Sequence, residues 1–546
     1  IFKRGNLMNF LNATNLHLYI GIVLSCVNGV IMCLLSSKFL HVIQLSGYKI
    51  GGYRAYLKET KSSYIGRLVV LCFMSLLCVL VTNSLLDGYG EFYSYIGLIF
   101  YFYFSIVFII NVYRAPQKTP LKQTHRMQRL TFVVFLLMSG ITFVLIMLFS
   151  EYVPFIRFGV VAITPIFLPV VVPLAHFICI PMEGAFRQIY KSRAKKKLAN
   201  MPNLIKIGIT GSYGKTTTKH ILNVMLSTKY KVCMSPHSFN TPMGLTKVIN
   251  NYLDANDEVL IAEMGARQMG DIAYLCNLIH PKHAIITGVS NQHLATFGSV
   301  ENVYKAKHEL VDAIDDGYIC FNAENDGSLR MYNECTKNKI LCGLNGDYFS
   351  NITNIKATPK GSTFDLTIDN ETISCSTKLL GISNLEDIAL AGALAYKMGV
   401  NLLGIQNAIA NLKPIPHRIE LIEENGLTII DDSFNASTQS SKNALDTLAL
   451  FEGTKIVVTP GLVELGDKEY EENVVFGENI AKVANKVIIV NKVNKQAITT
   501  GLLKSGFDEN NIIEVETLND AKQKLEEMLE GGEVVLFEND LPDNYI

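Results

Sequence analysis

Hydrophobic and polar positions divide this chain of 546 residues into two unlike parts. Up to about residue 185, apolar runs of roughly 20 residues recur, each long enough to cross a hydrocarbon core of about 30 Å. They fall near 16–35, 68–86, 92–112, 130–149 and 158–181. The fifth carries Pro165, Pro169 and Pro173, so a kink or break is expected there. One cleavable signal segment cannot account for five such runs.

From Leu204 the period changes. Ile205–Thr210, Val259–Ala262 and Ala284–Thr287 read as buried strands, with helices near 215–228, 301–315 and 385–398. Strand–helix alternation of this kind predicts a doubly wound α/β domain. A second set follows Lys413-Pro414. Its strands are Leu427–Asp431, Lys455–Thr459, Lys486–Val490 and Glu533–Phe537, and its helices lie near 438–451, 471–484, 495–505 and 518–530. The stretch 340–375 is β-rich and reads as a side sheet. The expected fold class is therefore an α-helical transmembrane region followed by α/β domains. The expected boundaries are 1–185 for about five membrane helices, 186–203 for a basic linker, 204–413 for a central domain and 414–546 for a smaller Rossmann-like domain.

Charge sharpens the division. The chain holds 49 Lys and Arg against 49 Asp and Glu, which argues against a basic nucleic-acid binder. Residues 1–200 alone hold 20 basic and five acidic side chains, so the remainder is acidic by the same margin. Loops after the first, third and fifth apolar runs are rich in Lys and Arg, whereas Asp87 and Glu91 follow the second and Glu151 the fourth. By the positive-inside rule the odd loops and everything beyond 185 are expected to be cytoplasmic, in a multi-pass membrane protein. Lys3 and Arg4 oppose this orientation. The chain begins at Ile1 rather than Met and reads as a fragment. The basic run 187–197 reads as a stop to translocation with some attraction for anionic lipid, and His176 as a packed or interfacial histidine. Eleven cysteines without a C-x-x-C pair read as reduced, mostly buried thiols.

The segment Ile207-Gly-Ile-Thr-Gly-Ser-Tyr-Gly-Lys-Thr-Thr-Thr218 follows a strand and opens a helix. Gly211 and Gly214 let the backbone turn so that N–H groups face one anion, and Ser212 and Thr217 belong to the same cradle. Lys215 can neutralise β- and γ-phosphate charge, and the Thr216 hydroxyl can bind Mg²⁺. The spacing, Gly211-x-x-Gly214-Lys-Thr, lacks the first glycine of the common phosphate-loop pattern, since position 209 is Ile. Glu263 and His293 each follow an apolar strand, beside the loop, where a metal would sit.

These segments resemble the Mur ligase family, closest to its D-alanyl-D-alanine-adding branch. The resemblance is carried by Thr210–Thr217, by Ser238-Phe-Asn-Thr-Pro-Met-Gly-Leu245, by Glu263-Met-Gly-Ala266, by His293–Glu301, by Ala306-Lys-His-Glu309, by His417-Arg-Ile-Glu420 and by Asp431-Asp-Ser-Phe-Asn-Ala436. It implies a central ATP-binding domain and a C-terminal ligase domain that form an amide through an acyl phosphate, with ATP and Mg²⁺. It implies Thr216, Glu263, His293 and a carbamylated Lys307 as metal ligands. It places Arg418, Asp431 and Asp432 on the nucleotide, Asn325 and Asn384 on its base side, and Asn240, Thr241 and Asn435 on substrate. Lys215, Lys307, His293 and Arg418 are the expected catalytic set.

The chain departs from the family in three places. Ser383 stands where His is usual, and Asp387 where Asn is usual. Membrane spans replace the domain that binds a uridine nucleotide. The end, Leu536-Phe-Glu-Asn-Asp-Leu-Pro-Asp543, replaces a glycine- and arginine-bearing loop. The expected partners are thus ATP, a peptide or amino-acid amine donor, membrane lipids, and a carboxylate-bearing envelope precursor, for which a lipid-linked form would explain the spans. Alternatives are the same chemistry on another envelope polymer, such as poly-γ-glutamate, and an ATP-sensing membrane protein without ligase activity.

Overall fold

The computed structural model describes residues 2–59, 64–85, 94–114, 120–149, 154–236, 238–291, 294–424, 426–434, 436–529 and 531–540. The chain divides into two compact units between Gln188 and Ile189.

Among the described residues, five helical stretches are long and apolar enough to cross a membrane: Leu18–Leu35, Tyr64–Thr82, Ile96–Tyr113, His125–Leu148 and Gly159–Ala199. The proline-rich run behaves partly as expected. Helix Pro154–Ile163 gives way to a single 3₁₀ turn, Thr164–Phe167, at Pro165. Pro169 then falls in the first turn of helix Leu168–Ala199, where no N–H partner is needed, while Pro173 lies inside that helix. The same helix continues through the basic run to Ala199, where a linker was expected. Its Lys, Arg and Ala residues are strong helix formers, and Lys196 and Lys197 sit at the negative end of the helix dipole.

Buried polar groups hold the first unit together. Asn28 is fully buried, donates to Thr142 Oγ1 and Thr164 Oγ1 at 2.9 Å each, and accepts from Tyr101 Oη at 2.6 Å. One amide thus joins four segments. Glu183 pairs with Arg129 at 2.6 Å and Arg126 at 3.8 Å. These partners lie too far apart in sequence for local pattern to reveal them.

Among its described residues the second unit holds two sheets. The first has nine strands: β1 (Ile205–Thr210), β2 (Val232–Met234), β3 (Val259–Glu263), β4 (His283–Ile286), β5 (Ile319–Asn322), β6 (Lys339–Leu344), β7 (Ser350–Thr358), β8 (Gly361–Ile368) and β9 (Glu371–Thr377). Their order is β2-β3-β1-β4-β5-β6-β7-β8-β9. Pairing is parallel from β2 to β7 and antiparallel beyond. The β-rich stretch is therefore an extension of the central sheet, not a side sheet. Ile352, Phe364, Leu366 and Ile368 from it share a core with Ile207 and Ile209 of β1, so apolar burial continues across the added strands.

The second sheet has β10 (Glu420–Glu424), β11 (Leu427–Asp432), β12 (Lys455–Thr459), β13 (Lys486–Val490), β14 (Ile512–Val515) and β15 (Val534–Glu538), in the order β10-β11-β15-β12-β13-β14. Only the β10–β11 pair is antiparallel. Helices Glu469–Ala481 and Lys495–Lys504 approach each other through glycine. A Cβ on Gly501 would lie 2.0 Å from the Val474 carbonyl oxygen. Gly501→Ala should therefore lower stability by about 1–3 kcal/mol through overpacking, read as a shift in the urea midpoint. An unchanged midpoint would show that these helices are not closely apposed.

Candidate active site

β1 lies between β3 and β4, where the strand order reverses, and its C-terminal end opens into the glycine-rich loop. In parallel sheets this crevice is where ligands bind. Gly214 adopts φ 76° immediately before helix Lys215–Leu226, and a Cβ there would stand 2.7 Å from Asp387 Oδ1. Glycine is required on both counts. The loop is held from behind. Ser212 N donates to the Gly288 carbonyl at 2.8 Å, Ser290 N donates to Ser212 Oγ at 3.0 Å, and the Thr287 hydroxyl donates to the Tyr213 carbonyl. Lys215 Nζ folds over the loop, donating to the carbonyls of Gly211 at 2.6 Å and Ser212 at 3.2 Å. Burial pulls its amine down to about 8, against the opposing pull of Glu263.

Glu263, 1 % exposed, ends β3 beside the loop. Its Oε2 accepts from Thr216 Oγ1 and from Lys219 Nζ, both at 3.0 Å, and its Oε1 accepts from Asn240 Nδ2 at 2.9 Å. Burial alone would raise this carboxyl. The charges of Lys219 and Lys215 outweigh it and hold the group below the ordinary carboxylate range. A hydroxyl and an ionised carboxylate side by side at a helix N-terminus form the hard-oxygen donor set that suits Mg²⁺.

Lys307, on helix Val300–Asp312, is buried. Burial first, and then the charge of Lys215, lower its amine to about 7. Two residues on, Glu309 caps helix Asp271–Ile279 by accepting from Gly270 N at 2.7 Å and Ala273 N at 2.8 Å. His293 and Asn435 lie outside the described residues.

Arg418 arrives from the C-terminal domain. Its guanidinium stacks 4.8 Å from the Phe434 ring centroid. Burial weakens its hold on its proton, and the charges of Asp432, Glu263, Asp387 and Glu538 counter this. Those partners belong to both sheets, so Arg418 stands where the two domains meet the loop. Asp431 pairs with His417 Nδ1 at 2.7 Å, and Asp432 Oδ1 accepts from Ile419 N at 3.2 Å.

Thus Lys215, Thr216, Asn240, Glu263, Lys307 and Arg418 form one electrostatic neighbourhood. Other expected residues carry local duties. Thr217 is buried on the loop helix. The Thr241 hydroxyl caps helix Pro242–Asn251. Asn325 caps helix Asp326–Glu334 and bonds both backbone groups of Val289. Asn384 Nδ2 is held by the Leu380 carbonyl at 2.6 Å. Sequence reasoning missed Lys219, although its i+4 spacing from Lys215 puts both on one helix face. It also missed the working contact of Asp387, which accepts from Thr218 Oγ1 at 2.6 Å.

Residues 209–395 match the family description "Mur ligase middle domain", and 417–538 match "Mur ligase, glutamate ligase domain". A relative from Bacillus subtilis, UDP-N-acetylmuramoyl-tripeptide–D-alanyl-D-alanine ligase, is 28% identical over 61% of this chain and 72% of its own length. Its namesake from Escherichia coli is 31% identical over 54% of this chain and 66% of its own length. The solved structure of MurF ligase from Thermotoga maritima in complex with ADP superposes with a TM-score of 0.57 at 25% identity, covering 65% of this chain and 80% of that one.

Glu263→Gln would remove the carboxylate charge that faces the fully buried Lys219 at 3.0 Å. A loss of about 3–5 kcal/mol is expected, measured by urea unfolding. A loss under about 1 kcal/mol would mean that the pair is solvated.

Proposed function

The chain belongs to the Mur ligase family of ATP-dependent carbon–nitrogen ligases that use Mg²⁺, and on that premise we propose that it joins an amine to the carboxylate of a peptidoglycan precursor at the cytoplasmic face of a membrane. The single observation that carries this reading is the convergence of Lys215, Thr216, Glu263 and Arg418 on one loop. Sensing of nucleotide alone would not call for a buried lysine such as Lys307 beside that loop. The multi-pass location is supported by the five apolar helical stretches and the alternation of loop charge. A lipid-linked acceptor fits the same arrangement, since anchoring raises the local concentration of such a substrate.

The chemistry follows from charge. An acceptor carboxylate oxygen attacks the γ-phosphorus of ATP, the bond to the β–γ bridging oxygen breaks, and ADP leaves. The loop N–H groups, Lys215 and Arg418 offset the repulsion between two anions in this step. Thr216 and Glu263 would hold Mg²⁺, which neutralises phosphate charge when bound. The amine then attacks the acyl carbon, loses a proton to water or a nearby base, and expels inorganic phosphate. Lys307, held near neutrality by burial, has the free amine needed to take up CO₂ and so become an anionic carbamate.

The test uses the full chain in detergent with Mg·ATP, a panel of soluble and lipid-linked muramyl peptides, and amine donors including D-alanyl-D-alanine. Phosphate release and a new amide, seen by mass spectrometry, are expected with at least one pair. Neither product with any pair would overturn the assignment. Lys307→Ala should lower amide formation by about 10²-fold or more while ATP still binds. Unchanged turnover would remove the carbamate from the account.

A further inference from the structure

Glu538 ends β15 and is fully buried, yet neither of its carboxylate oxygens receives a hydrogen bond from an N–H or ordinary O–H donor. Beside it in register on β11 stands Asp432, also buried. Two ionised carboxylates in this position would repel each other, and neither could donate. One proton between them removes a charge and supplies the missing donor. The charged and polar groups that face the pair are Arg418, Asp431 and the Ile419 backbone N–H.

The pair also sits under a strained turn. His417 and Ile419 have φ of 62° and 47°, on either side of Arg418. A β-branched residue keeps that conformation only where its surroundings hold it. Asp432 does so directly, accepting from Ile419 N at 3.2 Å. Asn539, next to Glu538, donates its own N–H to the Asp432 carbonyl at 3.2 Å, which ties the two strand ends together.

We propose that Glu538 is a positioning residue: sharing one proton with Asp432, it fixes the His417–Ile419 turn and presents Arg418 to the nucleotide phosphates against one negative charge instead of two. This gives a role to the acidic end of β15, where the chain departs from the family's loop. It rests on the phosphate role of Arg418 given above.

Burial pushes both carboxyls up, Asp432 to about 6 and Glu538 well above its ordinary value. The folded state then binds more protons than the unfolded state above the usual carboxylate range, so stability is lost as pH rises. Glu538→Gln replaces the shared proton with an amide donor. The melting temperature of this variant, minus that of the wild type, should grow from about pH 6 to about pH 9 in the full-length protein. An ionised Glu538 paired with Arg418 predicts the reverse, a deficit deepest at high pH, and would overturn the proposal. Asp432→Asn removes the same charge from the other side and should shift stability in the same direction.

A purely structural role would not reach the nucleotide, so affinity for Mg²⁺ and the ATP analogue AMP-PNP is the second readout. Wild-type affinity should fall with rising pH more steeply than that of Glu538→Gln, the ratio widening by about threefold or more. A ratio flat with pH overturns the positioning of Arg418, even if the melting result holds. Arg418→Ala distinguishes the underlying reading. If that variant binds the analogue as wild type does, the phosphate role of Arg418 fails first.

Discussion

The Lys219–Glu263 ion pair is the constraint on which the catalytic end of the molecule depends. Its members are 0% and 1% exposed at the side chain and 3.0 Å apart. Two charges taken out of water gain little net stability from each other, and removing one leaves the other stranded. Such a pair persists where position matters more than energy. Here it locks the end of β3 to the loop helix and aims the remaining Glu263 oxygen at Asn240. Thr216 is brought to the same carboxylate. Loop helix, β3 end and the oxygens proposed to hold Mg²⁺ are thus tied together by hydrogen bonds.

Sheet topology provides the rest. Because the strand order reverses about β1, the ends of β3, β1 and β4 leave a crevice that no crossover covers. The second sheet places β11 and β15 side by side, so the acids ending each strand meet under the Arg418 turn. Charge from both domains converges on a few cations. Lys307 feels the charge of Lys215 as well as burial, Lys215 that of Arg418 as well as burial, and both are held below ordinary lysine behaviour. For the carbamate proposed at Lys307 the neutral amine is the reactive form, whereas Lys215 is proposed to meet phosphate as a cation.

Much of this was legible in the sequence, because period and punctuation report local structure. The strands around 205–210, 455–459 and 486–490 fall where alternation with helices put them. The apolar runs match five helical stretches, since length and hydropathy are local properties. The failures have one cause. The stretch 340–375 looked like a separate sheet because a strand's neighbours are set by tertiary burial, not by its own pattern. The basic run looked like a linker because charge suggested solvent, yet Lys197 Nζ is spent on the carbonyls of Leu253 and Asn250, and Lys191 lies over Tyr274. At the site, Lys215, Thr216 and Glu263 were legible from motif chemistry. Lys219 and Glu538 were not, because their significance lies in partners 44 residues away in one case and on another strand in the other.

The loop, Lys215 and Arg418 are proposed to permit one anion to attack another. Oxygen transfer tests this most directly. An acceptor that supports turnover is labelled with ¹⁸O in its reacting carboxylate and incubated with the full chain, Mg·ATP and the amine. Inorganic phosphate carrying one labelled oxygen is expected, because the acyl phosphate releases the oxygen that attacked. Unlabelled phosphate formed alongside amide would contradict it.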